Sequence, residues 1–546
     1  MWASLSTASM AILVLADAAT ARLPRREAPV DAEAETGSPE PIIPTITVTH
    51  TNIEYWPPTT LPVTVTNTNV KFITPTALSN STAHNSTGTL VAGKGHRGKG
   101  KGKSSATTLT PANSKAYSPV ATFAPSLTSA SAAKSSQPSS SSAVASPKVL
   151  ANTSSIPFLR GVNLGGWFIL EKWMNSDVFT GAFSEATDQF TFDAIPGAED
   201  ALEKHWSTYF TESDIQDLAA TGINALRIPI GYWAFDNSNS HYIKGADVYL
   251  EKAIDWARNA GMKVWVDCHG SPGSQNGHDH SGKIGSVDWQ EDANRKQSIS
   301  VLETMASKYG SAEYADVVVG LELTNEPLAD STHSLSEIQE WTEEAYAAVK
   351  AASSNPNMVI TIHDAFQGPE KWADVVQNLG PGSFGIDTHM YQLFSDEDNL
   401  LTQPQHITKA CGWASSLATS NAITPTYTGE WSGITNVCLN PDGSTIAGHT
   451  CWESGCRCLS DPYETWSDDM IALMRRYVEA QLDVFEQSTS GYFVWSAKGP
   501  GSWSFLEGVK KGTFPNPVTA RKFPGQCGGN QRRATRGSLG REPEAF

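Results

Sequence analysis

The chain has 546 residues, of which 39% are hydrophobic and 17 are tryptophan, so it can form one large domain with extensions or two ordinary domains. Its formal net charge is −18, and the acidic excess lies in residues 156–527, whose own charge is −25. This charge excludes nucleic acid and anionic membrane surfaces as expected partners and favours a neutral substrate such as a polysaccharide.

The N-terminus has the pattern of a secretory signal peptide. Residues 10–16 (MAILVLA) form a short apolar core, and Ala19-Thr20-Ala21 follows with small residues at both ends, which predicts a signal peptide over residues 1–21. The apolar core is too short for a membrane-spanning helix. Asp17 and the lack of a basic residue before it leave an uncleaved anchor as the alternative.

The next segment, residues 22–155, is rich in Ser, Thr, Pro and Ala. It cannot bury enough apolar surface to offset its chain entropy, so we expect a disordered stalk, glycosylated at the sequons of Asn80, Asn85 and Asn152. Removal of this segment by processing at Arg25-Arg26 and beyond is the alternative. Residues 528–546 are expected to form a disordered tail.

From Phe158 onward, strand-length apolar runs alternate with amphipathic helical segments. Examples of the helical segments are 246–260, which Gly261 should terminate, and 335–352. Eight units of this kind predict a (β/α)8 TIM barrel over residues 156–527. The predicted strands are 158–164, 223–229, 262–268, 317–324, 357–362, 384–389, 424–429 and 491–496.

Polar or aromatic side chains stand at the end of every predicted strand. They are Asn163, Arg227, His269, Asn325, Glu326, His363, His389, Tyr391, Glu430 and Trp495. In a TIM barrel the carboxyl ends of the strands face one shared crevice, so these groups are expected to lie in one site.

Two of these groups are carboxylates. GLELTNEP (320–327) places Glu326 after one buried strand, and TYTGEWSG (426–433) places Glu430 after another. Burying a carboxylate costs free energy, so a buried glutamate is expected either in an ion pair or in catalysis. Each of these two glutamates could therefore be a catalytic group or part of a structural ion pair. Two facing carboxyl groups, one protonating the leaving oxygen and one attacking the anomeric carbon, are what glycosidic cleavage needs, and a gap of roughly 5–5.5 Å gives retention.

Three neighbours fit this chemistry. Arg227 and Tyr391 would favour the ionised form of a nucleophile, because a cation and a phenol both stabilise a carboxylate. Asn325 would hydrogen-bond the 2-hydroxyl of the sugar.

The seven cysteines are unevenly placed. Six lie in residues 411–527, whereas Cys268 stands alone in an apolar run. In a secreted protein the six predict up to three disulfides and Cys268 a buried thiol. A metal-binding knuckle of Cys451, Cys456 and Cys458 is the alternative, although its spacing fits no common zinc pattern.

Several motifs in sequence order resemble glycoside hydrolase family 5, and most closely its fungal exo-β-1,3-glucanases, over about residues 158–527. They are RGVNLGGWFILE (160–171), LRIPIGYW (226–233), HGSPGSQNG (269–277), LTNEP (323–327), HMYQLF (389–394), GEWS (429–432) and FVWSAK (493–498). The resemblance implies Glu326 as acid/base and Glu430 as nucleophile. It implies a glucose subsite lined by Arg227, His269, Asn325, His389, Tyr391 and Trp495, with Glu171 and Asp279 on the terminal sugar and Phe394 against the next one.

Two positions depart from the family pattern. His278 stands where an aromatic carbocycle is usual, and Lys172 where Pro is usual, which bears on the leaving-group subsite rather than on the chemistry. The resemblance also implies a disulfide between Cys411 and Cys527, and one from Cys438 to Cys451, Cys456 or Cys458.

The sequence therefore predicts a secreted or wall-associated monomeric enzyme, without cofactor or metal, that hydrolyses β-glucan with retention. The expected mode is exo-acting release of glucose from the non-reducing end of β-1,3-glucan. A different linkage such as β-1,6, an endo-acting mode, transglycosylation and a non-catalytic glucan-binding wall protein are the alternatives. Neither nucleic acid nor a membrane-spanning partner is expected.

Overall fold

The computed structural model describes residues 156–238 and 240–528. The predicted signal peptide, the stalk with its three sequons and nearly all of the predicted tail lie outside the described residues. None of the described helices is both long and apolar enough to cross a bilayer.

Eight parallel strands close into a barrel in the order β1-β11-β7-β6-β5-β4-β3-β2. The strands are β1 (Leu159–Asn163), β2 (Ala225–Gly231), β3 (Lys263–Gly270), β4 (Val318–Glu322), β5 (Val359–His363), β6 (Gly385–Met390), β7 (Thr426–Trp431) and, after three strands of a separate sheet, β11 (Gly491–Val494). All eight predicted strands are present, so the predicted TIM barrel is confirmed. The bounds of β2 differ from the predicted strand 223–229. The strand continues to Gly231, so Arg227 lies in mid-strand rather than near its end.

Helices follow the strands and cover the outside of the barrel. They are α1 (Gln189–Asp193), α2 (Ala198–Thr208), α3 (Glu212–Ala220), α4 (Ala246–Asn259), α5 (Asp292–Tyr309), α6 (Leu335–Ala352), α7 (Ala373–Leu379), α8 (Gln403–Gly412), α9 (Ala414–Asn421), α10 (Asp468–Ser488) and α11 (Phe505–Lys511). The predicted stop of α4 is confirmed, since Gly261 has φ +71°, a conformation that glycine adopts without steric cost.

Apolar side chains fill the barrel at the end opposite the carboxyl termini of its strands. The cluster consists of Ile156, Leu159, Ala225, Trp265, Val319, Tyr427 and Phe493. The rings of Trp265 and Tyr427 lie 4.7 Å apart. Packing of this kind closes the bottom of the barrel and leaves the polar groups to the opposite end.

A small antiparallel sheet follows β7 and was not predicted. Its strands, in the order β10-β8-β9, are β8 (Val437–Leu439), β9 (Thr445–Ala447) and β10 (Arg457–Cys458). Disulfides join Cys438 to Cys458 and Cys451 to Cys456 in this region. The alternative of a metal-binding knuckle is therefore wrong, because cysteines paired as disulfides have no thiolate to offer.

The remaining disulfide joins Cys411, at the end of α8, to Cys527, near the end of the described chain. The pairing implied by the family resemblance is confirmed. Cys268 is unpaired and buried in β3, as predicted.

Candidate active site

Glu326 and Glu430 face each other at the carboxyl end of the barrel. The His389 Nδ1 atom lies 2.6 Å from Glu326 Oε1 and 3.5 Å from Glu430 Oε2. Those two oxygens are thus no farther apart than the sum of these distances, about 6.1 Å. A gap of this size fits a sugar ring attacked from one side and protonated from the other.

Glu430, near the end of β7, is held by a cation and a phenol. Its Oε1 accepts from Arg227 Nη1 at 3.1 Å, and its Oε2 accepts from the Tyr391 hydroxyl at 2.9 Å. Position 429 must be glycine here, because a Cβ at Gly429 would lie 1.8 Å from Asp387 Oδ2. The two contacts fix both carboxylate oxygens and favour the anion.

Arg227 is fully buried and organises the floor of the site. Its Nη1 donates to Asn163 Oδ1 at 3.0 Å, and its Nη2 donates to Asn325 Oδ1 at 2.7 Å. The Asn325 amide is thereby oriented with its Nδ2 directed away from the guanidinium and 3.5 Å from His269 Nε2. An amide fixed in this way can present a donor to a substrate hydroxyl.

Glu326 lies four residues after the end of β4, in a strained backbone conformation. Its φ is +45°, which non-glycine residues seldom adopt outside functional sites. Asn276 Nδ2 donates to the Glu326 carbonyl at 3.0 Å and supports this turn. The side chain lies between two imidazoles, those of His389 on Oε1 and His280, whose Nε2 lies 3.4 Å from Oε2.

The two glutamates differ in what surrounds their charge. Burial raises the pKa of Glu430 to about 8, and Arg227 and the Tyr391 hydroxyl oppose that rise. Burial raises the pKa of Glu326 well above its usual range, and the neighbouring Glu430 charge raises it further. Of the two glutamates, only Glu430 has a cation and a phenol in contact with its carboxylate, and these contacts favour an anion at Glu430 beside an un-ionised acid at Glu326.

His269 and Trp495 form one wall of the site. Their rings are stacked, with centroids 5.6 Å apart and an interplanar angle of 13°. His269 Nδ1 lies 2.6 Å from Asp267 Oδ2, and this hydrogen bond fixes the orientation of the imidazole ring. Burial lowers the pKa of His269, which favours the neutral imidazole, and the Nε2 atom of that form can accept a hydrogen bond from a hydroxyl.

A second acidic pair, Glu171 and Asp279, lies beside the catalytic candidates. Burial and the charge of Asp279 raise the pKa of Glu171, and burial raises the pKa of Asp279 to about 6. Trp173 Nε1 donates to Glu171 Oε2 at 2.8 Å, and the Trp173 ring meets that of Trp503 edge to face at 5.2 Å. Carboxyl oxygens next to indole faces suit a sugar, whose hydroxyls need acceptors and whose C–H face packs on aromatic rings.

The two residues that depart from the family pattern, Lys172 and His278, lie in different surroundings. The Lys172 ammonium donates to the carbonyls of Ser184 and Ala186 at 2.8 and 2.6 Å, so it fixes the loop after β1. His278 is half-buried and stacks on His280 with centroids 5.3 Å apart. Burial lowers the pKa of His278 to about 4, so the ring stays neutral above that pH and can still pack against a sugar.

Phe394 lies next to the nucleophile side of the site. Its ring meets that of Tyr391 edge to face, with centroids 5.3 Å apart.

All eleven predicted site residues lie in the barrel strands or in the loops that follow them. Those residues are Glu171, Arg227, His269, Asp279, Asn325, Glu326, His389, Tyr391, Phe394, Glu430 and Trp495.

Sequence reasoning missed several residues of the site. The buried carboxyl groups of Asp267, Glu322 and Asp387 lie beneath the catalytic candidates, and the loop residue Trp173 lies beside Glu171. The three acids could have been found from the sequence, because each is an acidic residue within an apolar strand. An unpaired charge is costly there, so such a residue indicates a buried partner. Trp173 had no such signal because its loop has no periodicity.

Some buried carboxyl and imidazole groups lie close enough together to be considered for a metal ion. They form two sets, Glu326 with His363 and His389, and Glu322 with Asp387 and His389. The carboxyl groups of both sets already pair with Arg227 or with an imidazole, so we assign no metal ligands here. The expectation of a metal-free, cofactor-free reaction stays a prediction.

Comparison with known proteins identifies the family. Residues 187–452 match the model of Cellulase (glycosyl hydrolase family 5). The chain is 36% identical over 386 residues to glucan 1,3-beta-glucosidase 1 of Schizosaccharomyces pombe, covering 68% of this chain and 91% of that protein. It is 38% identical over 393 residues to the glucan 1,3-beta-glucosidase of Yarrowia lipolytica, covering 68% and 91%.

A solved structure shares the fold. The rutinosidase from Aspergillus niger matches with a TM-score of 0.52 and 23% identity, over 66% of this chain and 98% of that one, and this likeness bears on the fold alone. The predicted enzyme class, glycoside hydrolase, is confirmed by the family match and the curated relatives. The family model, the relatives and the closed barrel of this chain all indicate the same family, and the chain belongs to glycoside hydrolase family 5.

Proposed function

We propose that this family 5 hydrolase is a secreted β-1,3-glucosidase that removes glucose from the non-reducing end of β-glucan, with Glu430 as nucleophile and Glu326 as acid/base. One observation carries the proposal. The two carboxyl groups meet across a gap of no more than about 6.1 Å, and only Glu430 has a guanidinium and a phenol bound to it.

In the first step, a Glu430 carboxylate oxygen attacks the anomeric carbon of the terminal glucose. The bond from that carbon to the glycosidic oxygen breaks, and the Glu326 carboxyl proton moves to the departing oxygen. The products are a glucosyl ester on Glu430, an ionised Glu326 and a shortened glucan. The Tyr391 hydroxyl and Arg227 hold Glu430 in place for in-line attack.

In the second step, ionised Glu326 takes a proton from a water molecule, whose oxygen attacks the same carbon from the opposite face to Glu430. The ester bond breaks, Glu430 leaves as a carboxylate, and glucose departs with its original anomeric configuration. The positions of His389 and His280, one on each Glu326 oxygen, keep that carboxyl aimed at the glycosidic oxygen in both steps.

The substrate assignment is supported by relatives and by the pocket. The curated relatives named above are glucan 1,3-beta-glucosidases. Glu171, Trp173 and Asp279 supply acceptors and an aromatic face beside the catalytic pair, which suits a terminal sugar. Secretion to the medium or wall is supported by the predicted signal peptide and the three disulfides, which are stable in oxidising compartments. We expect a monomer.

The test compares hydrolysis of laminarin, a β-1,3-glucan, with hydrolysis of a linear β-1,6-glucan, following product size by chromatography. The proposal predicts glucose as the first product from laminarin and much slower release from the β-1,6-glucan. Early appearance of oligosaccharides would show an endo-acting or transglycosylating enzyme, and a preference for the β-1,6-glucan would overturn the linkage. Glu430→Gln serves as control, since it should lose hydrolysis while still binding laminarin.

A further inference from the structure

Three carboxyl groups that the proposed reaction does not use lie beneath the catalytic pair. Asp267 on β3, Glu322 on β4 and Asp387 on β6 are all buried, with at most 2% of each residue exposed. All three surround Arg227, at 3.2, 2.9 and 3.9 Å from the nearest guanidinium nitrogen. With Glu430 at 3.1 Å, four carboxyl groups share one guanidinium.

The charges of this cluster cannot all be present at once. Among the described residues, Arg227 is the only Lys or Arg side chain within 4.0 Å of these carboxyl groups. Two imidazoles face these carboxyl groups, His269 on Asp267 and His389 on Asp387 and Glu430. Burial lowers the pKa of both, which favours their neutral forms. Four ionised carboxylates around one cation would leave three uncompensated buried charges, so the cluster must hold at least one proton.

The hydrogen bonds indicate which group holds it. Asp387 Oδ1 accepts from the Gly429 backbone N–H, and Asp267 Oδ2 pairs with His269 Nδ1 and faces Arg227. Glu322 Oε2 accepts from Arg227 Nε. Glu322 Oε1 and Asp267 Oδ1 are both buried without a hydrogen-bond partner among the described residues. Asp267, however, has the imidazole of His269 as well as Arg227 beside its other oxygen, whereas Glu322 has Arg227 alone.

An oxygen buried without a donor suits a hydroxyl better than an anion, and a neighbour can accept from it. The carboxyl groups of Glu322 and Asp387 each have an oxygen within 4.8 Å of the other. Burial also raises the pKa of Glu322 well above its usual range, more than the opposing charge of Arg227 lowers it. Burial raises the pKa of Asp387 to about 8, but Arg227, a hydrogen bond with Glu322 and the Gly429 N–H all oppose that rise and favour Asp387 as the acceptor.

We propose that Glu322 carries a proton throughout the reaction and shares it with Asp387, so that the Arg227 guanidinium remains available to Glu430. Glu322 is then a positioning residue, which acts through Arg227 rather than on substrate. An ionised Glu322 would place another negative charge beside Arg227 and make the Glu430 anion harder to form. This inference rests on the proposed role of Glu430 as nucleophile.

The first test compares two substitutions at position 322. Glutamine reproduces the pattern of an un-ionised carboxyl, an oxygen that accepts from Arg227 and a donor for Asp387. Glu322→Leu removes both contacts and should lower kcat about 10-fold or more. Glu322→Gln should restore kcat relative to Glu322→Leu and leave both limbs of the pH–rate profile in place. An acid shift of about one pH unit or more in Glu322→Gln would show that a negative charge was removed and would overturn the proposal.

Asp387→Asn is the matched control, since it makes the same chemical change on the accepting partner. Its amide would place a donor against the Gly429 N–H or the Glu322 hydroxyl, so we expect a larger loss of kcat than in Glu322→Gln. The reverse order would place the proton on Asp387 and overturn the proposal.

A spectroscopic test needs no substrate and so separates this inference from the proposed function. Near neutral pH, the infrared spectrum of the wild-type protein should contain the carbonyl band of an un-ionised carboxyl group that Glu322→Gln lacks. An unchanged band in Glu322→Gln would show that Glu322 is ionised and would overturn the inference. The assignment of Glu430 as nucleophile is tested separately, by the loss of hydrolysis expected in Glu430→Gln.

Discussion

The proposed nucleophile, Glu430, depends on two contacts that reach it from different parts of the barrel. Arg227 comes from mid-strand β2, and Tyr391 follows β6. A hydrogen bond to a charged group contributes about 1.5–3 kcal/mol. Removing one such contact should therefore be measurable in both rate and pH dependence.

Tyr391→Phe deletes the hydroxyl that donates to Glu430 Oε2. We expect kcat/KM on an aryl β-glucoside to fall about 10- to 100-fold, and the acidic limb of the pH–rate profile to move to higher pH, because the Glu430 anion loses a donor. Tyr346→Phe is the control, since its hydroxyl lies on α6 and donates to the Ser383 carbonyl outside the site. A Tyr391→Phe enzyme with the rate and pH profile of Tyr346→Phe would contradict the role given to Tyr391.

At this scale the sequence predicted the residues that stand at strand ends or in family motifs, such as Glu326 and Tyr391. It did not predict Asp267, Glu322 and Asp387, because a parallel strand is buried on both faces and shows no alternation that separates the barrel interior from the helix side. Only the charge of these acids inside apolar runs marks them. Their convergence on Arg227 depends on the closed order of the strands.

Secondary-structure elements and their covalent links form the next scale. All eight barrel strands could be predicted from apolar runs of strand length, and α4 and α6 from helical periodicity. The sheet of β8, β9 and β10 could not, since its strands have only two or three residues each. Two disulfides cross-link that region.

The disulfides are expected to differ in how much they stabilise the fold. Cys411–Cys527 spans 116 residues, whereas Cys451–Cys456 spans 5, and closing a longer loop removes more entropy from the unfolded chain. Replacing Cys411 and Cys527 together by Ser should cost about 2–5 kcal/mol of unfolding free energy, and replacing Cys451 and Cys456 clearly less. Urea unfolding of both double variants measures this, and equal losses would contradict it.

For the whole molecule, the buried titratable groups predict how stability depends on pH. Burial raises the pKa of two carboxyl groups outside the Arg227 cluster, Asp193 and Asp364, to about 7. The folded state holds protons that these groups release on unfolding, so stability is lost as pH rises through those values.

Buried histidines act in the opposite sense at lower pH. Burial lowers the pKa values of His278 and His406 to about 4. Below about pH 6.5 these two imidazoles bind protons in the unfolded chain but not in the folded protein, so stability is lost as the pH falls toward 4. Above pH 6.5 these imidazoles are neutral in both states, and only the carboxyl groups contribute. We therefore expect the Tm to fall from about pH 6.5 to 8.5, by about 1–2 °C per kcal/mol lost for a domain of this size. Thermal unfolding followed by tryptophan fluorescence measures this, and a Tm that is constant or rises over that range would refute it.

The most direct measurement of the central claim is the identity of the residue that becomes covalently bound to the sugar. A 2-deoxy-2-fluoro-β-glucoside with a good leaving group allows the first step and slows the second, because fluorine destabilises the oxocarbenium-like transition state. After incubation, proteolysis and mass spectrometry should find the fluoroglucosyl group on Glu430. The group on any other side chain, or continued turnover with no covalent adduct, would contradict the account.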